Sequence, residues 1–312
     1  MINISLKIFL ILSFILNLSG CQNSTVALIT NQGDDTVSIV NLDDLEVIKT
    51  LQTDKGPLGV EFIDTYHAVI SNTKNQTLQV INLNNFEITN RIKLGFTPLG
   101  MVSIKKEKRL YVSSWYENKI YLFDTQSWKQ LLQIEVAKTP SGLAYNTKQG
   151  LLICANRDEN IATIIKNNKI LKTIKTGEHP FGVYTLDDQA FTVNVYSNNI
   201  TQIDLNNFSS KEINSGNHPY NMVIHKNKIF ITNTQDDTVS VVNKTTQELI
   251  VNLKTQEVPE NIGIDETNNQ LVITNWGSNT ISIFDLNTLK LIKHIKTGKE
   301  SRAFGNFIWS KR

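Results

Sequence analysis

The residues able to do chemistry fall at a few separated places: Trp115 with Tyr116, Arg157 with Asp158, His179 with Phe181, Tyr196, His218 with Tyr220, Trp276, and Glu300 with Arg302. Aromatic rings beside guanidinium and imidazole groups suit a cavity that holds a flat or apolar body by a few hydrogen bonds. His179 and His218 each stand one residue before a proline. Two imidazoles are too few for zinc, which takes at least three protein ligands. Glu300 is the nearest third, but nothing in the sequence demands it, so no metal is assigned. The paired acids Asp34-Asp35 and Asp236-Asp237 read as solvated turn residues. No haem-attachment CxxCH, phosphate-cradling Gly-rich loop, nucleophile elbow or HExxH is present, so no cofactor is expected and no linear catalytic motif is found. A catalytic set drawn from separate segments stays open, with His179, His218, Arg157 and Arg302 as its groups.

The elements that position these residues are set by a repeat. The six prolines, Pro57, Pro98, Pro140, Pro180, Pro219 and Pro259, are spaced by 41, 42, 40, 39 and 40 residues, and Ser301 fills the same slot 42 residues later. A second anchor is the asparagine closing a short apolar run: Asn31, Asn72, Asn156, Asn194, Asn233 and Asn275, with Ser114 in its place in the third copy. The near-identical lines TNQGDDTVSIVN at 30–41 and TNTQDDTVSVVN at 232–243 are two readings of this unit. Each copy holds four short β-branched runs separated by Asn, Gly and Asp turns, which leaves no room for a helix of ordinary length. Runs such as VSIV at 37–40 are apolar on consecutive positions, so their sheets are covered on both faces. Radial packing of four-stranded sheets meets that requirement, and the expected fold is an all-β, seven-bladed propeller of four-stranded antiparallel blades.

The strings ITN and YVSS, the DTVSIVNL type of run and the Gly-x-x-Pro-x-Gly linkers resemble the YVTN-repeat β-propeller family over nearly all of residues 26–309. The resemblance implies that the proline strand is innermost. The loop before each proline and the loop after each ITN strand then share one face, where Trp115, Tyr116, Arg157, His179, Phe181, Tyr196, His218, Tyr220, Trp276 and Arg302 would form a binding surface. It also implies a ring closed in 3+1 fashion, with the terminal AFGNFIW (303–309) aligned as the proline strand of the blade that the first strands begin. Relatives of this kind include lactonases, large subunits of periplasmic dehydrogenases and binders of single-stranded nucleic acid, so the family speaks to fold more than to function.

The start of the chain, MINISLKIFLILSFILNLSG, has one positive charge, a short apolar run and small residues before Cys21, the pattern of a secretion signal. Leu18-Ser19-Gly20-Cys21 matches the bacterial lipobox, which implies a signal peptide over 1–20, lipid on Cys21 and a tether over 21–25. Gln22 at the following position points to the outer membrane, facing the periplasm. Loss of Lys7 leaves 30 of the 31 basic residues against 29 acids. Such neutrality argues against nucleic acid as a partner, although Trp115, Tyr116, Tyr196 and Trp276 offer stacking surfaces. The remaining cysteine, Cys154, reads as a buried inert thiol. The expected molecule is a lipid-anchored, monomeric, non-catalytic binding or scaffolding module for an envelope protein, peptide or small ligand. An enzyme, either a lactonase-like hydrolase or a dehydrogenase-type redox subunit, is the alternative.

Overall fold

Seven antiparallel sheets stand around one axis in the computed structural model, which describes residues 24–310. The expected signal peptide over 1–20 and the expected lipid attachment at Cys21 lie outside the described residues. In blade 2 the strands run Pro57–Phe62, His67–Asn72, Thr77–Asn82 and Glu87–Lys93 from the axis outwards, and blades 3 to 7 repeat that order. The first three strands of a blade are almost entirely buried, because neighbouring blades cover both faces. The outermost is largely exposed, alternating in Glu46–Gln52 and exposed at all but one position in Lys169–Lys175. Among the described residues the only helical pieces are two 3-10 turns, Lys105–Glu107 and Arg157–Glu159. Apolar side chains fill the spaces between blades, with Phe191, Phe230 and Phe307 fully buried. Cys154 is buried as well, and burial pushes its thiol up.

The repeat letters turn out to be joints. Each signature asparagine is buried, and most reach hydroxyl groups on the next strand: Asn31 donates to Ser38 at 2.9 Å, Asn233 to Ser240 at 2.8 Å and Asn275 to Ser282 at 2.9 Å. The following residue donates its N–H to the carbonyl just before the proline slot, as Trp115 does to Thr97 and Trp276 to Val258 at 2.9 Å, and Arg157 to Thr139 at 3.0 Å. These bonds place both loop sets on one face, as the sequence suggests. In every blade but the second, where Gln76 stands, the next turn carries an Asn or Asp in the left-handed region whose side chain clamps the following blade. Asn160 Oδ1 accepts from His179 N, and Asn198 Oδ1 from His218 N, at 2.9 Å each, while Asp35 Oδ1 accepts from Gly56 N at 2.8 Å. Asp35 and Asp237 are therefore clamps and not free carboxylates.

Pro-x-Gly serves the axis. A Cβ on Gly100 or Gly142 would collide with the carbonyl oxygen of the next blade's inner strand, so glycine lets neighbouring inner strands approach closely. Blades 6 and 7 carry Asn221 and Asn261 in that slot, and they hydrogen-bond across the ring, Asn221 to Asn261 and Asn261 to the carbonyl of Ala303.

The C-terminal segment closes the ring by 3+1 pairing, with a departure from the expected regular strand. Ser301–Arg302 and Ile308–Ser310 pair with Thr25–Asn31, the first strand of blade 1. Between them, 303–306 leaves the ladder, and the Phe307 carbonyl rejoins it by accepting from Leu28 N–H at 2.9 Å. Phe304–Gly305 pairs instead in parallel with Gly59 and Val60 of blade 2. Gly305, at φ 111°, permits the excursion because an L side chain rarely adopts that backbone.

Candidate functional site

The residue following each proline slot projects at the loop-side end of the axis: Leu58, Leu99, Ser141, Phe181, Tyr220, Glu260 and Arg302 in turn. Leu58, Leu99, Phe181 and Phe304 form a small apolar cluster there, with Trp115, Val195 and Tyr220 packed on it. Phe304 comes from the looped-out C-terminal segment. Its ring lies 4.9 Å from Phe181 and 6.5 Å from Tyr220, centroid to centroid. It packs beneath residues of a shallow mouth of about 190 Å³ lined by Trp115, Tyr116, Phe181, Tyr220 and Arg302 with Leu58, Leu99, Gln32, Thr73 and Thr97 of the first blades.

The candidate residues join into one connected rim. Trp115 meets Tyr116 edge-on at 6.3 Å and Phe181 at 5.9 Å, and Phe181 continues to Tyr220 at 4.4 Å. Arg157 covers the Trp115 ring at 5.4 Å, and Arg302 covers Trp276 at 5.6 Å, both cation–π contacts. His179 and His218 share Tyr196, whose ring centroid is 4.0 Å from the first and 5.5 Å from the second. The two imidazoles thus sandwich onto a tyrosine and do not form a pair. Their backbones sit in the left-handed region at φ 54° and 51°, the same turn geometry as Gly56 and Val258 in other blades, so the slot itself is structural. Burial, then the nearby Arg157, holds His179 below the usual imidazole range. Among the described residues no group of three or more His, Cys, Asp or Glu side chains is arranged to hold a metal ion.

At the centre of the rim is a pair that sequence reasoning missed in part. Arg302 Nη2 lies 3.3 Å from Glu260 Oε1, and Arg302 Nη1 donates to the Tyr220 hydroxyl at 3.5 Å. Burial, and then the charge of Glu300, push the Glu260 carboxyl up to about 7, although Arg302 opposes the shift. Glu300, the acid singled out from sequence, instead contributes its backbone: its N–H donates to Asn279 at 2.7 Å and its carbonyl accepts from Gln32 at 3.2 Å. The signal for Glu260 was available, since it occupies the same post-proline slot as Phe181, Tyr220 and Arg302. Three buried nitrogens of the rim have no hydrogen-bond partner: Arg302 Nε, Trp276 Nε1 and His218 Nδ1.

Beyond Phe304 the axis opens again. A cavity of about 380 Å³ lies at the far end of the inner strands, walled by Met101, Leu143, Val183, Met222 and Ile262, with Glu61 and Asn306 at its side. A gap of about 30 Å³ beside Phe304 and Gly305 adjoins it, sharing Met101, Leu143, Val183 and Asn221.

Solved structures of the same shape have divergent sequences. A functionally unknown protein from Desulfotomaculum acetoxidans aligns with a TM-score of 0.74 at 14% identity, over 91% of this chain and all of the other. The dihydro-heme d1 dehydrogenase NirN aligns with a TM-score of 0.71 at 13% identity, over 93% of this chain and 75% of that one. Hydrazine synthase of Kuenenia stuttgartiensis aligns at 0.69 and 14% identity, over 78% of this chain and 88% of that one. At such identity the likeness is one of fold. No curated protein sequence matches the chain. One family model does, over residues 12–310, and the chain is therefore a member of the YNCE-like beta-propeller family.

Proposed function

We propose that this protein is a YVTN-type propeller lipoprotein of the bacterial envelope, tethered by lipid on Cys21 at the outer membrane and binding a partner or ligand at its loop-side mouth without catalysis. The observation that carries the binding role is the unfinished hydrogen bonding of Arg302. Its guanidinium has five N–H donors, yet its two contacts are long, and its buried Nε, like the indole N–H of the Trp276 beneath it, has no acceptor. Buried donors without partners cost stability, and an incoming acceptor would satisfy them. The aromatic floor and rim supply apolar contact around that polar point, the composition of a small-group binding site. At about 190 Å³ the mouth takes a single ring or one side chain, which suits an exposed residue of a protein or peptide better than a large cofactor.

The test is a pull-down from envelope extract with the soluble body beginning at residue 22, beside the Trp115→Ala/Trp276→Ala double variant. The double variant is expected to lose the captured partner; equal recovery by both proteins would place binding elsewhere. For the tether, Cys21→Ser in the full chain is expected to move the protein from the membrane to the soluble fraction, and unchanged membrane retention would remove the lipid anchor.

One observation favours the enzyme reading. A carboxyl held near 7 beside Arg302 and the Tyr220 hydroxyl, as Glu260 is, has the proton affinity that general acid–base work requires. Turnover of simple lactones by purified protein, lost in Glu260→Gln, would favour a hydrolase over a binding module. Stacking of single-stranded nucleic acid draws less support, because among the proposed platforms only Tyr116 and Tyr196 are well exposed, at 75% and 51%.

A further inference from the structure

The cavity at the far end of the axis differs in chemistry from the mouth. Apolar side chains such as Met101, Leu143, Met222 and Ile262 share its walls with polar atoms, its charged lining consists of Glu61 and Glu266, and it includes no lysine or arginine. Glu61 is 2% exposed. Its Oε1 accepts from the Ser103 hydroxyl at 2.9 Å and more weakly from the Ser103 N–H at 3.4 Å, and its Oε2 accepts from Asn306 at 2.8 Å. All of these donors are neutral. No cation forms an ion pair with Glu61 among the described residues; Lys105, the nearest influence, is exposed and lies over the Phe62 ring at 5.9 Å. A carboxylate offers about four acceptor positions, so at least one remains free. Buried carboxylates ordinarily have a partner of opposite charge, and this one has a cavity where that partner would stand.

The second acid, Glu266, stands at the exposed edge of the cavity. Glu266 is paired with His225, whose Nδ1 lies 3.1 Å from Glu266 Oε1, while His225 Nε2 is buried without a partner. The buried negative charge of the wall is therefore that of Glu61, which has no cation beside it, whereas the mouth has buried donors without acceptors. The volume of the cavity falls within the usual range for small-molecule sites.

We propose that this cavity is a second binding site, for a primary amine on a compact apolar body such as a single aromatic ring, with the ammonium directed at Glu61. The apolar body would rest against Met101, Leu143, Met222 and Ile262, and the ammonium would supply the counter-charge and the donors that Glu61 lacks. The site stands apart from the mouth, and its case does not depend on what the mouth binds.

The experiment is calorimetric titration of the soluble propeller at pH 8 with 2-phenylethylamine and with its neutral isostere 2-phenylethanol. The amine is expected to bind about tenfold or more tightly than the alcohol, the ratio a single charge-assisted contact supplies. Glu61→Gln should remove that preference, and Ala144→Leu, which adds bulk at the cavity wall, should weaken the amine without restoring the alcohol. No measurable binding of the amine, or equal affinity for amine and alcohol on the unaltered protein, overturns the proposal. So does amine binding that survives both substitutions. If Glu61→Gln fails to fold, the amine-to-alcohol ratio on the unaltered protein still decides.

Discussion

The two ends of the axis are built from the same seven inner strands and differ in nearly every chemical respect. The mouth takes its character from the slot after each proline, where Phe181, Tyr220, Glu260 and Arg302 converge. The opposite cavity takes its character from the fifth position of the same strands, where Glu61, Val102, Ala144, Tyr184, Val223 and Gly263 line the wall. One end has buried donors without acceptors, and the other a buried carboxylate that has neutral donors but no counter-ion. The backbone ring is close to regular, so it cannot produce this polarity. Single exceptions in single blades do, a glutamate here and an arginine there, and the repeat letters only hold them in place. What keeps the ends distinct is the excursion of 303–306, which lays Phe304 across the axis.

The largest effect should therefore come from Phe304→Ala. Phe304 is 7% exposed, packs on Leu58, Leu99 and Phe181 and borders the small gap that adjoins the far cavity, so truncation removes a buried ring and widens that gap towards the mouth. Loss of about 3–5 kcal/mol is expected in urea unfolding, the usual cost of deleting a buried aromatic side chain. A loss under about 1 kcal/mol would mean that the ring only rests in the channel. The division between the two ends would then have another cause.

Much of this architecture was legible in the sequence because the proline and asparagine slots recur at an almost constant interval, and a constant interval of four short strands admits few folds. The rim was legible for a related reason. Trp115, Arg157 and Trp276 stand at one repeat position and His179 and His218 at another, so fixing the strand order brought them to one face, and the structure joins them through Tyr196, Phe181 and Tyr220. The C-terminal excursion was not legible. In every other blade the number of residues from proline to asparagine can be counted along the chain, fifteen from Pro57 to Asn72. The last inner strand pairs with the first strand of the protein, so no such count exists, and residues that loop out read as an ordinary strand. Glu61 was hidden differently. It lies in PLGVEF, where an acid on an alternating strand passes for a solvent-facing residue unless both faces are known to be covered. Its burial is a property of the closed ring.

That burial makes Glu61 the finest probe of the difference between the ends. Burial pushes its carboxyl up to about 7, with Ser103 and Asn306 offsetting part of the shift. A carboxyl whose folded pKa is raised binds its proton more tightly in the folded chain than in the unfolded one. The stability it contributes is present below the unfolded value of 4.5 and is lost as pH rises towards the folded value of about 7. Glu260 has the same direction and window, and it remains in the variant, so it cancels from the comparison. Glu61→Gln places an amide against the Ser103 and Asn306 donors, a mismatch that costs stability equally at every pH. The difference in unfolding free energy between variant and unaltered protein should therefore move in favour of the variant by about 2–3 kcal/mol between pH 5 and pH 8. Chemical denaturation at the two pH values measures it. A difference that stays constant would mean that Glu61 titrates like an exposed acid, and the cavity end would then lack the uncompensated charge that sets it apart from the mouth.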